Sequence, residues 1–175
     1  LLPWPFRRST GRQRKIFYGH KEKKPASGFW AFTLVLLALA LSGYGMREAL
    51  RVPPVREVRM QVPGLPDALN GFRIAQLSDL HIGPTFGKAW LTDVVARTDS
   101  LNPDLIVITG DVVDGSPSRL EEDVAPLADL KAKYGVIFAP GNHEYYSGIQ
   151  QWLPVFQRLG MHVLMNENTQ IRVNG

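Results

Sequence analysis

Short apolar runs alternate with helix-like segments in the second half of the chain, and this rhythm constrains the fold more than any other feature. The runs lie at 72–77, 105–108, 136–139 and 162–165. A continuous apolar run such as 105–108 is typical of a strand covered on both faces. Between the runs, apolar residues recur at helical spacing, at 90–101, 120–130 and 149–159. Strands that alternate with helices predict an α/β domain with right-handed crossovers and a parallel sheet.

A polar motif directly follows each of the first three predicted strands. The motifs are Asp79-Leu80-His81, Gly110-Asp111-Val112-Val113-Asp114 and Gly141-Asn142-His143-Glu144. Sites in open α/β sheets form beyond the carboxyl ends of the strands, so all three motifs are expected at one edge. Gly110 and Gly141 would let the backbone turn sharply after the strand and leave room for ions.

The side chains in these motifs suit a metal site. Carboxylate, imidazole and amide oxygen together favour Mn, Fe, Zn or Ni, and an all-oxygen magnesium or calcium site would not need His81. The chain has no cysteine, which excludes thiolate ligands and disulfides. Taken singly, Asp111 and Asp114 could form an Asx turn, Asn142 could cap a helix and His81 could be a surface histidine. Three such loops at one sheet edge favour metal binding.

Two further histidines and two tyrosines lie outside the assigned roles. His20 lies in a basic segment and His162 within a predicted strand, so neither is expected to bind metal. Tyr145 and Tyr146 could wall a substrate pocket or pack in the core.

The combination of the three motifs resembles the calcineurin-like metallophosphoesterases over residues 72–165. The residues that flank the motifs resemble the membrane-anchored bacterial subgroup, in which some members act on lipid-linked substrates such as UDP-diacylglucosamine. The resemblance implies an α/β layered sandwich of two sheets, of which about one sheet with its helices is expected here. It also implies hydrolysis of phosphomonoesters, phosphodiesters or pyrophosphates by a hydroxide that two divalent metal ions activate.

The resemblance assigns metal ligands residue by residue. Asp79 and His81 would hold the first metal ion, Asp111 would bridge both ions, and Asn142 would bind the second.

The resemblance also implies catalytic roles. His143 would act on the substrate phosphate as general acid or charge stabiliser, and Asp114 would orient His143 by a hydrogen bond. It gives Glu144 no firm role.

The family pattern continues beyond what this sequence contains. It has three further histidines downstream, an isolated one and a G-H-x-H pair, and none follows His162. Because the chain starts at Leu1 and stops at Gly175 after a strand–turn pattern, we expect a fragment of a longer protein. Such a fragment should be nearly inactive and prone to pairing through an open sheet edge. If the chain truly ends at Gly175, the alternative is a non-catalytic membrane-anchored metal-binding or scaffold module.

An uncharged stretch precedes the α/β region. Residues 25–46 are 22 residues without a charged side chain, flanked by aromatic residues. About 20 apolar residues suffice for a helix to cross a bilayer, so we predict a membrane anchor. A cleaved signal peptide and a buried soluble helix are the alternatives.

Charge is distributed unevenly along the chain. Residues 1–24 contain eight Lys or Arg and one Glu, whereas residues 25–175 contain twelve Lys or Arg and fifteen Asp or Glu. The positive-inside rule places the N-terminal side in the cytoplasm and the folded domain outside. The acidic domain argues against nucleic-acid binding. The basic segment is either a solvated loop or a contact with anionic lipid headgroups.

The predicted organisation therefore has four parts. Residues 1–24 form a basic cytoplasmic segment and 25–46 a transmembrane helix. Residues 47–71 form a linker with an edge strand at 55–62, and 72–175 form the N-terminal part of the metallophosphoesterase domain.

Overall fold

The computed structural model describes residues 28–173. They belong to two compact units that divide after Tyr44, and each unit is considered by itself. The first contains most of helix α1, which spans Gly28–Ala49 and is long and apolar enough to cross a membrane. The predicted span therefore forms a helix, which continues three residues beyond the predicted end at 46. The basic segment 1–24, with His20, lies outside the described residues.

The linker contains no strand at 55–62, so the predicted edge strand is wrong for the described residues. The apolar alternation is present in the sequence, but Val58 and Met60 are each 78 % exposed. A strand exists only where a neighbour accepts and donates its backbone hydrogen bonds. A short 3₁₀ helix, Asp67–Leu69, follows.

A parallel sheet forms the centre of the second unit, as predicted. Its strands are β1 Ile74–Leu77, β2 Leu105–Ile108, β3 Val136–Phe138 and β4 Met161–Val163. They pair in parallel in the order β1-β2-β3-β4. The connecting helices are α2 Lys88–Asp99, α3 Pro117–Val124, α4 Asn142–Tyr146 and α5 Ile149–Arg158.

Helices α2, α3 and α5 pack on one face of the sheet. Ala75, Ile106, Val136 and Met161 share one cross-strand row, and all are buried in the core. Strands added in chain order with crossovers of one hand place every helix on the same side. The opposite face is less covered: the neighbouring row is exposed or half-buried. Its members are Gln76, Val107, Ile137 and His162. In β2 itself Leu105 is buried and Val107 is half-buried on this face, so the expected covering of β2 on both faces is met in part.

Helix α3 is shorter than its apolar pattern predicts. The periodicity runs to 130, but the α-helix ends at Val124 and a 3₁₀ helix, Ala125–Asp129, continues the chain. Pro126 explains the change, because proline lacks the N–H for an α-helical bond and its ring clashes with the preceding turn.

Aromatic packing ties α5 to the sheet and to the loop after β2. Trp152 and Phe156 stack with centroids 5.2 Å apart, and Phe156 contacts Phe138 at 4.4 Å. The Trp152 Nε1–H donates to the Gly115 carbonyl at 2.9 Å. The core thus anchors the loop that carries Asp114.

Candidate active site

The loops after β1 and β2 lie side by side at the carboxyl edge of the sheet. Asp79 N–H donates to the Gly110 carbonyl at 3.2 Å, and His81 N–H donates to the Asp111 carbonyl at 3.0 Å. Ile82 N–H then donates to the Val112 carbonyl at 2.8 Å. Backbone pairing therefore continues past the strand ends and holds the first two motifs together.

Three candidate metal ligands have left-handed backbone conformations. The φ angles are 57° at Asp79, 45° at His81 and 53° at Asp111. A non-glycine residue in this region costs roughly 1–3 kcal/mol, and such strain clusters at functional sites. Asp and His tolerate it better than most residues. The cross-loop hydrogen bonds offset this cost and fix where the three side chains begin.

The two glycines predicted to make room do so in different ways. Gly110 has φ 85°, and a Cβ there would overlap the backbone of Gly141. Gly141 has an ordinary φ of −93°, but a Cβ there would overlap the Asp111 carboxylate. A left-handed turn is therefore confirmed only for Gly110, whereas Gly141 allows close approach of the two loops.

Side chains from the first two motifs converge. One ligand atom from each of Asp79, His81 and Asp111 lies within 4.8 Å of the others. His81 Nε2 is 4.0 Å from Asp79 Oδ1. Two carboxylates and an imidazole at this separation fit a divalent transition metal.

The third motif reaches the second through α4. Asn142 is the exposed first residue of α4. The next residue, His143, donates its backbone N–H to Asp111 Oδ1 at 3.0 Å. The structure thus brings the start of α4 against Asp111, and the role of Asn142 as a ligand stays a prediction.

Asp114 orients two histidines, where the sequence predicted one. Its Oδ1 lies 2.6 Å from His143 Nδ1 and 3.0 Å from His81 Nδ1. The two imidazoles meet edge to face with centroids 4.5 Å apart. Because Nδ1 of His81 faces Asp114, Nε2 is left on the side of Asp79. A carboxylate behind a histidine ligand commonly fixes the ring in this way.

These contacts change proton affinity. The hydrogen bond with Asp114 raises the pKa of His81, and burial opposes this only in part. Burial raises the pKa of Asp114, but the hydrogen bonds with His81 and His143 outweigh it and the pKa is lowered. Asp114 is therefore a charged acceptor at neutral pH.

Glu144, to which the sequence assigned no role, is fully buried at 0 % exposure. Its carboxylate accepts main-chain N–H groups from Asp111, Val112, Val113 and Gly141. A glutamate in the first turn of a helix that accepts the N–H just before the helix is half of a capping box. The spacing from Gly141 to Glu144 is the sequence signal for a capping box. It does not indicate the hydrogen bonds from Glu144 to the loop after β2.

The two tyrosines after Glu144 do not pack in the core. Tyr145 is 56 % exposed and Tyr146 80 % exposed. The Tyr146 ring lies 5.9 Å from the His143 ring. Core packing is therefore wrong for this pair, and the substrate-wall interpretation stays a prediction.

The part of the chain that forms this site is similar to known proteins. Residues 72–172 match the family model described as calcineurin-like phosphoesterase. A zebrafish (Danio rerio) "transmembrane protein with metallophosphoesterase domain" is 37 % identical over 153 residues, covering 86 % of this chain and 35 % of the relative. The bovine (Bos taurus) protein of the same description is 38 % identical over 142 residues, covering 81 % and 32 %. An uncharacterized metallophosphoesterase of Campylobacter jejuni is 31 % identical over 140 residues, covering 79 % and 37 %.

The chain spans about a third of the length of these relatives. They come from vertebrates and from a bacterium, so the bacterial subgroup stays a prediction. No solved structure matches this chain with significance.

Proposed function

The chain belongs to the calcineurin-like phosphoesterase family, and from this premise we propose that the full-length protein hydrolyses phosphate esters with divalent metal ions. The observation that carries the proposal is the convergence of Asp79, His81 and Asp111 from two strand ends. Strained backbone at all three positions supports it further, because such strain is retained where a site requires it.

We propose two metal ions in the complete site. Asp79 and His81 belong to the first, Asn142 to the second, and Asp111 to both. The donor set suits Mn, Fe, Zn or Ni. The matched part of this chain covers 35 % and 32 % of two relatives, and in this proposal the rest of the protein supplies the remaining ligands of the second ion.

When bound, the two metal ions would supply Lewis-acid chemistry, polarising the phosphate and lowering the pKa of a water molecule for in-line attack. The chain's own residues do the rest. Asp114 holds His143 through Nδ1, which leaves Nε2 free to meet a substrate oxygen. His143 then gives a proton to the leaving-group oxygen or stabilises charge on the phosphate. Asp114 keeps the ring in the required tautomer.

Metal removal tests this function. The full-length protein, purified in detergent and stripped with a chelator, should lose hydrolysis of p-nitrophenyl phosphate or bis(p-nitrophenyl) phosphate. Adding back Mn, Fe, Zn or Ni should restore it, and the ratio of the two rates separates monoester from diester preference. Hydrolysis that persists in the stripped protein, or none with any of the four metals, would contradict the proposal.

We also propose that α1 anchors the domain to a membrane and that the substrate is lipid-linked. Its length and apolar composition and the word transmembrane in the names of two relatives support the anchor. The basic N-terminal segment supports a cytoplasmic N-terminus and an extracytoplasmic domain. Protease added outside intact cells should then cleave the domain, whereas cleavage only after lysis would reverse the orientation.

A further inference from the structure

Glu144 is fully buried, and four main-chain N–H groups donate to its carboxylate. Its Oε2 accepts Asp111 N–H at 2.9 Å and Gly141 N–H at 2.7 Å. Its Oε1 accepts Val112 N–H at 2.6 Å and Val113 N–H at 3.2 Å. A buried carboxylate is tolerated only when hydrogen bonds replace its lost hydration. Four N–H donors meet that need, and their arrangement couples the position of Glu144 to two separate loops.

Those two loops carry the candidate ligands of one metal ion. Oε2 joins Asp111 itself to Gly141, the residue directly before Asn142. The connection is reciprocal, because His143 N–H in turn donates to Asp111 Oδ1. The hydrogen bonds described for Glu144 include no donor from Asp79 or His81, which are fixed instead by backbone pairing between the β1 and β2 loops.

The local backbone requires these hydrogen bonds to Glu144, which we call the Glu144 clamp. Asp111 is held in the left-handed region, and the Asp111 carboxylate is so close to Gly141 that a Cβ there would overlap it. Without Glu144, two buried and two part-buried N–H groups would lose their acceptor, and each unpaired group disfavours this geometry.

We propose that Glu144 is a positioning residue that holds Asp111 and Asn142 in register as a pair for the second metal ion. The inference rests on the proposed dinuclear site. It assigns Glu144 a task that differs from metal ligation, since its oxygens are occupied by backbone donors. Loss of the clamp should therefore affect the second ion more than the first, which Asp79 and His81 also hold.

The test is Glu144→Gln in the full-length protein in detergent, with Mn²⁺ as the probe. Glutamine keeps the size of the side chain but replaces one acceptor oxygen with an NH₂ group, which faces N–H groups instead of accepting from them. Calorimetric titration should show the second Mn²⁺ bound about 10–100-fold more weakly, the range for residues that support metal ligands. The first Mn²⁺ should change far less. Electron paramagnetic resonance should show a smaller exchange-coupled signal at the same Mn²⁺ concentration.

Two further variants complete the design. Glu122→Gln makes the same chemical change at an exposed position of α3 and should bind both ions like the parent. Glu144→Asp keeps the charge but shortens the reach, so it should weaken the second site to an intermediate degree. If Glu144→Gln does not fold, Glu144→Asp carries the same comparison.

Two results would overturn the proposed role of Glu144 but leave the proposed function intact. One is a lower melting temperature with both Mn²⁺ affinities unchanged, which would make Glu144 merely structural. The other is equal weakening of both ions. A parent protein that binds fewer than two Mn²⁺ would instead overturn the dinuclear site, and this inference with it.

Discussion

Replacing His143 with glutamine is expected to lower kcat by about 10²–10⁴-fold, the usual contribution of a positioned general acid or base. The structure places the His143 ring against Asp114 through Nδ1, so Nε2 is the atom available to the substrate. Glutamine can neither carry a positive charge nor donate a proton as an imidazolium does. Because His143 is not an assigned metal ligand, bound metal should be unchanged. Steady-state kinetics at saturating metal, with metal content by mass spectrometry, would measure both effects.

His162→Gln is the matched control, since His162 is an exposed histidine in β4 outside the motifs. It should keep both rate and metal content. A leaving group of low pKa needs less protonation, so the defect of the His143 variant should shrink with p-nitrophenyl esters and grow with alkyl esters if His143 is the acid. A uniform defect would favour charge stabilisation, and loss of metal equal to loss of rate would contradict both roles.

Much of the fold was predictable because its signals are local. Each strand is a short apolar run and each longer helix has apolar residues at helical spacing, so all four strands appear within a few residues of their predicted positions. The segment 55–62 was not predictable in this way. Its alternation is typical of a strand, but a strand also needs a partner, which a local pattern does not supply. Pro126 indicates the early end of α3, but the prediction followed the apolar periodicity, which continues to residue 130.

The candidate site was predictable in its residue types but less so in its geometry. Asp79, His81 and Asp111 were expected at one edge because parallel strands end there, and they converge. Asp114 contacts both His81 and His143, which lie 33 and 29 residues away from it in sequence. This arrangement depends on how the loops pack after folding, which a local sequence pattern does not show. The same holds for Glu144, whose partners around Asp111 are distant in sequence and adjacent only after folding.

Replacing Asp111 with asparagine is expected to remove activity almost completely, because in our proposal this carboxylate belongs to both metal ions. The loss of activity should exceed the roughly 10–100-fold loss that is typical of residues that only support a metal ligand. The fold should persist, since the amide oxygen can still accept the His143 N–H that Asp111 Oδ1 accepts at 3.0 Å. The N–H of residue 111 can still donate to Glu144 as well. What disappears is the negative charge that two cations would share.

Asp93→Asn, at an exposed position of α2, makes the same change without touching the site and should behave like the parent. Metal titration separates the assigned roles further. His81→Ala should weaken the first ion selectively, whereas Asp111→Asn should weaken both, because in our proposal Asp111 is a ligand of both ions. A variant at Asp111 that retained two tightly bound ions would show that the carboxylate does not bridge. The convergence with Asp79 and His81 would then describe a site for one metal ion.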